Sequence, residues 1–127
     1  MPKTDDFCEY VVEQLAPLGA ARYRAMFGGF ALYLDDMVVA IVDDGRLMLR
    51  ADEVNRGDYE ARGIWPFCPD PGKMGTMPYY EVPADVFESE DFLVWAERSR
   101  AAALRAKAAK EQKEREKEER RRKKAKA

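Results

Sequence analysis

The segment RAMFGGFALYLDDMVVAIVDDGRLMLRA, residues 24–51, decides the fold of this 127-residue chain. Within it, Phe30, Leu32 and Leu34 alternate with Ala31 and Tyr33, and along residues 46–51 every second residue (Leu47, Leu49, Ala51) falls on one apolar face, which is typical of strands. Between these two runs, residues 37–42 are apolar at every position. That pattern predicts a strand buried on both faces, in a sheet covered by helices on one face and by a loop or a partner on the other.

Two short acidic turns separate these strands. Residues 35–36 are a pair of aspartates, and residues 43–45 read Asp-Asp-Gly, where Gly45 supplies the positive φ that tight hairpins favour. The three strands are therefore predicted to form an antiparallel meander.

The rest of the chain reads as helices and one further strand. The predicted elements are a helix over residues 5–16 capped by Thr4, a helix over residues 52–62 capped by Asp52, a strand over residues 77–82 and a last helical region from Pro83. Residues 66–78, PFCPDPGKMGTMP, form a long loop, and loops of that length inside compact domains are often functional.

Charge divides the chain into two predicted parts. Residues 1–104 carry 10 Lys and Arg against 19 Asp and Glu, a net charge of −9, whereas residues 105–127 carry 12 against 5, a net charge of +7. We predict a folded domain over residues 1–104 and a highly charged helical or disordered tail over residues 105–127. The tail offers four favourable i,i+4 pairs: Glu111–Arg115, Glu116–Arg120, Glu118–Arg122 and Glu119–Lys123.

The composition argues against catalysis. The chain has no histidine, the commonest general base and metal ligand, and Cys8 and Cys68 stand sixty positions apart with no metal-binding spacing. We predict no catalytic residue, metal or cofactor. The amino terminus has no signal-peptide pattern and no apolar run is long enough to span a bilayer, so we expect a cytoplasmic protein without membrane contact.

The glycine pair in MFGGFALY has two readings. Gly28 and Gly29 either serve a bulge or a close backbone crossing at the strand entrance, or they expose backbone to a partner or small ligand. The candidate interaction residues of this block are Met26, Phe27, Gly28, Gly29, Phe30 and Tyr33.

A second group of candidates lies in or beside the proline-rich loop. Lys73, Tyr79 and Tyr80, with Glu81, would offer a cation, two phenols and a carboxylate to a ligand. The alternative is scaffolding, in which consecutive Tyr79 and Tyr80 place one ring on each face of a strand.

A basic run lies near the end of the tail. The candidate nucleic-acid contacts are Arg120, Arg121, Arg122, Lys123 and Lys124. Such runs are usually solvated or form weak electrostatic patches, and without stacking aromatics any nucleic-acid binding would be non-specific. The tail could also fold back onto the acidic body.

Several blocks in order resemble the TfoX amino-terminal domain family. They are MFGGFALY at residues 26–33, the Asp-rich turn, RLMLR at residues 46–50, a capped helix ending in Gly63, and MPYYEVP at residues 77–83. The likeness covers roughly residues 8–100, and MFGGFALY is its most specific part. At residue 78 the family usually has a polar residue, whereas Pro78 stands here and predicts that this strand starts at a sheet edge.

The resemblance implies both a fold and a role. It implies an α+β fold in two layers, a mostly antiparallel sheet of about five strands with helices packed on it, as in secretion-chaperone-like domains, followed here by the long charged helix. It also implies a non-enzymatic regulatory role. Longer members are competence regulators, needed for expression of DNA-uptake genes and acting with the cyclic-AMP receptor protein. We therefore expect protein–protein contact, with transcription machinery or a second copy. The alternative is a nucleic-acid-binding accessory protein that uses the basic tail.

Overall fold

The computed structural model describes residues 4–26, 28–69 and 75–126 of the chain. Its helices and strands, in chain order, are α1 (Asp6–Leu15), β1 (Ala21–Met26), β2 (Gly29–Leu34), β3 (Met37–Asp43), β4 (Arg46–Arg50), α2 (Gly57–Glu60), β5 (Tyr79–Glu81), α3 (Ala84–Phe87) and α4 (Asp91–Lys126).

The strands form one five-stranded sheet in the order β1-β2-β3-β4-β5, and each neighbouring pair is antiparallel. This confirms the predicted α+β fold and the meander of three strands. It also confirms that the strand after Pro78 lies at a sheet edge, since β5 ends the order.

The sequence reasoning missed β1. This strand reads ARYRAM and pairs along its whole length with β2, from Ala21 opposite Leu34 to Met26 opposite Gly29. Two of the three side chains on its inner face are alanines, so its apolar alternation is too weak to identify it. The chain therefore enters the sheet before the glycine pair and not after it.

Helices α1 and α4 cover one face of the sheet and enclose the main core. Helix α1 lies against β1 and β2, and α4 lies against β3 and β4. Cys8, Val11 and Leu15 are fully buried at three- and four-residue spacing along α1. They share the core with these residues of the sheet and of α4: Leu32, Leu34, Ala40, Val42, Leu47, Leu49, Phe92, Ala96 and Ala103.

Two predicted helices begin differently in the structure. Helix α1 is capped by Asp5 and not by Thr4: the Asp5 carboxylate accepts the backbone N–H of Cys8 at 2.9 Å. Asp52 does not cap the helix predicted over residues 52–62, because its carboxylate accepts the N–H of Val54 and the Asn55 side chain accepts the N–H of Asp52. These local bonds hold residues 53–56 in turns and leave only the four-residue helix α2.

The last helical region is two helices. After α3, the hydroxyl of Ser89 accepts the backbone N–H of Asp91 at 3.1 Å, which starts a new helix with its own cap. Helix α4 then runs for 36 residues, a length of about 54 Å. This confirms the predicted long charged C-terminal helix.

Helix α4 is attached to the body along its first half only. Ala102 and Ala103 are buried, and every described residue from 104 to 126 is exposed. Three arginines of α4 bind carboxylates of the body: Arg98 with Asp58 at 2.8 Å, Arg100 with Asp35 at 3.0 Å and Arg105 with Asp52 at 2.6 Å. Two of the four predicted i,i+4 pairs lie within ion-pair distance, Glu118–Arg122 at 3.7 Å and Glu119–Lys123 at 4.0 Å.

Candidate functional site

The candidate site lies on the face of the sheet opposite α1 and α4, which we call the open face. Side chains alternate between the two faces along each strand, and the strand registers align them across the sheet. The open face carries Arg22, Arg24, Met26, Gly29, Ala31, Tyr33, Val38, Ile41, Asp43, Arg46, Met48, Arg50, Tyr79 and Glu81.

The loop after α2 covers one end of the open face. Ile41, Met48 and Tyr79 form a second buried cluster, and Phe67 and Met77 of the loop pack against it. The loop is fixed by backbone bonds, since the N–H of Phe67 binds the carbonyl of Tyr79 at 2.7 Å. The predicted loop cover is therefore present over β4 and β5.

A groove remains between this loop and the start of β2. It has a volume of about 330 Å³ and is mainly apolar. Its lining consists of Met26, Gly29, Ile41, Asp43, Phe67, Pro69 and Met77. The groove therefore contains residues of the MFGGFALY block and of the proline-rich loop, the two regions that the sequence singled out.

Backbone geometry accounts for both glycines. Gly28 has φ +81°, a left-handed conformation that side chains rarely adopt, and no other described residue lies near the position of a Cβ there. At Gly29 there is no room for a side chain, because a Cβ at this position would stand 2.5 Å from the carbonyl oxygen of Val42. The structural reading of the pair as a turn followed by a close backbone crossing explains both positions, and Gly29 in addition lines the groove.

Arginines surround the apolar part of the open face. The Arg22 guanidinium stacks on the Tyr33 ring at 4.1 Å and pairs with Asp36 at 3.3 Å. Arg24 is exposed and has no ion pair among the described residues. With Arg46 and Arg50 on β4, the strands place four arginines and two acidic residues, Asp43 and Glu81, on this face. The open face is therefore basic, although residues 1–104 as a whole carry a net negative charge.

The hydroxyl of Tyr79 belongs to this polar surround. Its ring is buried, and the Arg50 guanidinium donates to its hydroxyl oxygen at 3.3 Å. Burial raises the pKa of Tyr79, and the nearby Arg50 cation opposes that rise. The phenol therefore stays protonated at neutral pH and acts as a neutral anchor for Arg50.

The structure separates the predicted site residues into two groups. Met26, Gly29, Tyr33 and Tyr79 lie on the open face, and Gly28 lies in the turn before β2. Phe30 and Tyr80 lie on the helix-covered face, where Phe30 packs on Tyr23 and Tyr80 stacks on Tyr59. Tyr79 and Tyr80 thus place one ring on each face, as the scaffold reading predicts. Phe27 and Lys73 lie outside the described residues.

Two features of this region were missed from the sequence. Arg22 and Arg24 stand two positions apart in ARYRAM, and Arg46 and Arg50 stand four apart in RLMLR; even spacing places each pair on one face of its strand, and that spacing is a signal the sequence contained. Trp65 is 85% exposed beside Pro66, which pairs with Tyr80 at the β5 edge. No pattern in the sequence distinguishes such an exposed tryptophan from a core one.

The tail candidates lie on the exposed end of α4. Arg120, Arg121, Arg122, Lys123 and Lys124 are all exposed, and Arg121 pairs with Glu118 at 2.9 Å. Five consecutive helical positions point in all directions around the axis, so these cations form a basic collar around the helix and not a stripe along it.

The described part of the chain contains neither a metal-binding cluster nor a membrane-spanning helix. In residues 4–26, 28–69 and 75–126, no group of three or more His, Cys, Asp and Glu side chains is arranged to hold a metal ion. Across the same part of the chain, no helix combines the length and apolar character that crossing a lipid bilayer requires.

Comparison with known proteins agrees with the architecture. The TfoX N-terminal domain matches residues 13–103. The chain is similar to Protein Sxy of Escherichia coli K12, with 36% identity over 99 residues, which cover 76% of this chain and 47% of Sxy. It is also similar to the uncharacterized 12.7 kDa protein in the trpE 5′ region of Spirochaeta aurantia, with 34% identity over 100 residues, covering 79% of this chain and 82% of that protein.

The chain thus spans about half the length of Sxy and most of the length of the Spirochaeta protein. The matched region begins within α1 and ends at the last buried turn of α4, so it contains the whole sheet and the open face. This chain belongs to the TfoX N-terminal domain family.

Proposed function

We propose that this protein is a non-enzymatic regulatory domain that binds a partner protein through the open face of its sheet. The observation that carries this proposal is the apolar groove beside Met26 and Gly29, which the protein's own helices leave uncovered. An apolar centre with arginine and tyrosine around it is the composition that protein interfaces favour.

The same surface offers little to catalysis. Among the residues that the structure describes, Asp43 is the one ionisable residue that lines the groove. The chain has no histidine to act with it, and burial raises the pKa of Tyr79, which keeps its phenol protonated at neutral pH. A single carboxylate beside apolar side chains fits a binding surface better than a site for proton transfer.

Family membership suggests the process. The TfoX-like architecture and the likeness to Sxy support a role in the regulation of competence or transcription, with the partner belonging to the transcription machinery in the cytoplasm. A domain of this kind would act by holding a partner, and the domain unit that does so is residues 1–104.

Affinity capture from the host lysate tests this proposal. Met26→Asp places a charge at the groove rim, and Val54→Asp places the same charge at an exposed apolar residue outside the groove. We expect wild type and Val54→Asp to capture the same partner and Met26→Asp to lose it, with unchanged circular dichroism in all three. Equal capture by both variants would contradict the proposal, as would a strict monomer in light scattering that captures nothing.

The second candidate function is non-specific nucleic-acid contact through the basic collar, residues 120–124. Its support is the exposure of all five cations on a helix that extends beyond the acidic body. Five neutralised phosphates would give log K against log salt a slope of about −4.5. In fluorescence anisotropy with a labelled DNA duplex, we expect replacement of all five by glutamine to abolish binding. Binding that survives this replacement, or that ignores salt, would exclude the collar.

A further inference from the structure

The two ends of the sheet differ in how their outer edges are occupied. At the β5 end, Pro66 forms a bridge with Tyr80, and the N–H of Phe67 binds the carbonyl of Tyr79. At the other end, β1 is a six-residue strand, and no strand of the described residues lies beyond it. Such an edge presents unpaired backbone groups to any extended chain that approaches it.

The pairing of β1 with β2 determines which backbone groups face outward. The N–H of Asp35 binds the carbonyl of Ala20, which makes these two residues a hydrogen-bonded pair. Bonding alternates along an antiparallel ladder, so Arg22 and Arg24 bond to β2. The N–H and C=O groups of Tyr23 and Ala25 therefore point away from β2, toward the outer edge of β1.

The side chains beside this edge form an ordered row on the open face. Arg22, Arg24 and Met26 follow at two-residue spacing, and Met26 leads into the apolar groove. Arg24 is exposed without an ion pair in the described part of the chain, and Arg22 is half exposed, with a partner, Asp36, that is itself 88% exposed. Both guanidinium groups are thus accessible to an incoming carboxylate, since exposed pairs of this kind are weak.

We propose that the partner docks as an extended acidic segment that adds to the outer edge of β1 as a sixth strand. This proposal deepens the proposed function and rests on it. Alternate carboxylates of the segment would stand opposite Arg22 and Arg24, and an apolar side chain two residues further would lie at Met26 and the groove. Backbone bonds supply affinity in strand addition, and the alternating side chains supply specificity.

Charge complementarity selects an acidic partner over a second copy of this chain. Two copies paired antiparallel through β1, with their open faces on the same side, would place arginines opposite or diagonal to arginines in every register near the strand centre. Like charges directly opposite each other destabilise a strand pair. The same two arginines therefore repel self-association at this edge and attract carboxylates.

Fluorescence anisotropy with synthetic peptides tests this mode on the full chain. The probes are fluorescein-labelled Leu-Thr-Glu-Thr-Glu-Thr, for antiparallel addition, and Thr-Glu-Thr-Glu-Thr-Leu, for parallel addition, each with a control in which glutamine replaces glutamate. We expect one acidic peptide to bind, and its glutamine control to bind about tenfold weaker because two cross-strand charge pairs are lost.

Variants of the protein separate edge addition from simple charge attraction. Arg24→Glu should weaken binding about tenfold, and the control Arg56→Glu, at an exposed arginine beside α2, should not. Ala25→Pro removes an outward N–H without touching the bonds to β2, and should also weaken binding about tenfold, whereas Ala25→Val should not. Amide exchange of wild type supplies an independent measurement, with the Tyr23 and Ala25 N–H groups protected only when the peptide is bound.

The possible results of these experiments distinguish strand addition from charge attraction, and failure of the docking mode from failure of the proposed function. Loss of binding with Arg24→Glu but not with Ala25→Pro, and without amide protection, would overturn strand addition. Failure of both acidic peptides to bind at millimolar concentration, while Met26→Asp still loses the captured partner, would overturn the acidic segment and leave the proposed function standing. Peptide binding that is weakened by Arg24→Glu and by Ala25→Pro supports the docking mode even if no partner is captured from the lysate.

Discussion

The clearest stability prediction concerns Gly29, because a side chain added there would clash with backbone atoms and not with a flexible side chain. A Cβ there would stand 2.5 Å from the Val42 carbonyl oxygen, with the Asp43 Oδ1 and Cα atoms at 3.5 and 3.6 Å. Real Cβ contacts essentially never fall under 3.0 Å, so β2 and β3 must separate by about half an ångström. Val42 is buried in the core and cannot move away freely.

The matched comparison is the same substitution at the preceding glycine. Gly28 adopts a left-handed conformation with no described atom within 4 Å of its Cβ position, and asparagine tolerates that conformation better than most residues other than glycine. We expect Gly28→Asn to lower the free energy of unfolding by less than about 1 kcal/mol. Gly29→Asn should lower it by about 2–3 kcal/mol, the upper part of the range of about 1–3 kcal/mol that is usual for overpacking a core, because the clash is with backbone.

Urea unfolding followed by tryptophan fluorescence measures this difference, since Trp95 packs against Tyr59 in the folded state. Thermal unfolding should agree, with Gly29→Asn melting about 4–8 °C lower for each kcal/mol lost. Equal losses at the two glycines, or a larger loss at Gly28, would refute the assignment of Gly29 to a close backbone crossing.

Three further predictions concern ionisable groups. The hydrogen bond from Arg105, together with backbone N–H groups, lowers the pKa of Asp52 in the folded protein. The Asp52 carboxylate therefore contributes to stability at pH values above its unfolded pKa, which is near 4, and this contribution is lost as the pH falls through the folded pKa. In urea unfolding across pH, the stability difference between wild type and Asp52→Asn should therefore be largest near neutrality and shrink below about pH 4. Arg105 binds Asp52 through two bonds of 2.6 and 2.9 Å, so Arg105→Ala should cost up to about 1 kcal/mol of unfolding free energy, whereas Arg122→Ala, on the exposed end of α4, should leave the urea midpoint unchanged. Burial, with a smaller effect of Asp5, raises the pKa of Cys8 to about 12, so mass spectrometry should find Cys8 unalkylated by iodoacetamide at pH 8 in the folded protein and alkylated in urea.

The central meander could be predicted from the sequence because each local signal agreed with the others. Alternation in residues 30–34 and 46–51, continuous apolar residues in 37–42 and two acidic turns all specify the same three strands. Strand β1 was not predicted because its inner face carries Ala21 and Ala25, whose small side chains differ too little in hydrophobicity from their neighbours to show a clear alternation.

The site was harder to predict because it depends on which residues tertiary structure brings together. Met26 and Phe67 lie far apart in the sequence and line one groove, a relation that periodicity does not encode. Phe30 and Tyr80 were grouped with the candidates by sequence proximity, although strand alternation sends both to the helix-covered face. Applying the two-residue alternation to ARYRAM as well would have found the row of arginines.

Helix α4 has a mechanical consequence. Its first half is pinned to the sheet by buried alanines and arginine ion pairs, and its second half continues along the same axis for about 33 Å beyond Leu104. A solvated charged helix of this kind acts as a semi-rigid spacer, so the length of the helix determines the distance of the basic collar from the sheet. A macromolecule held by the collar and a protein bound at the β1 edge would be kept apart at a separation that the length of this helix determines.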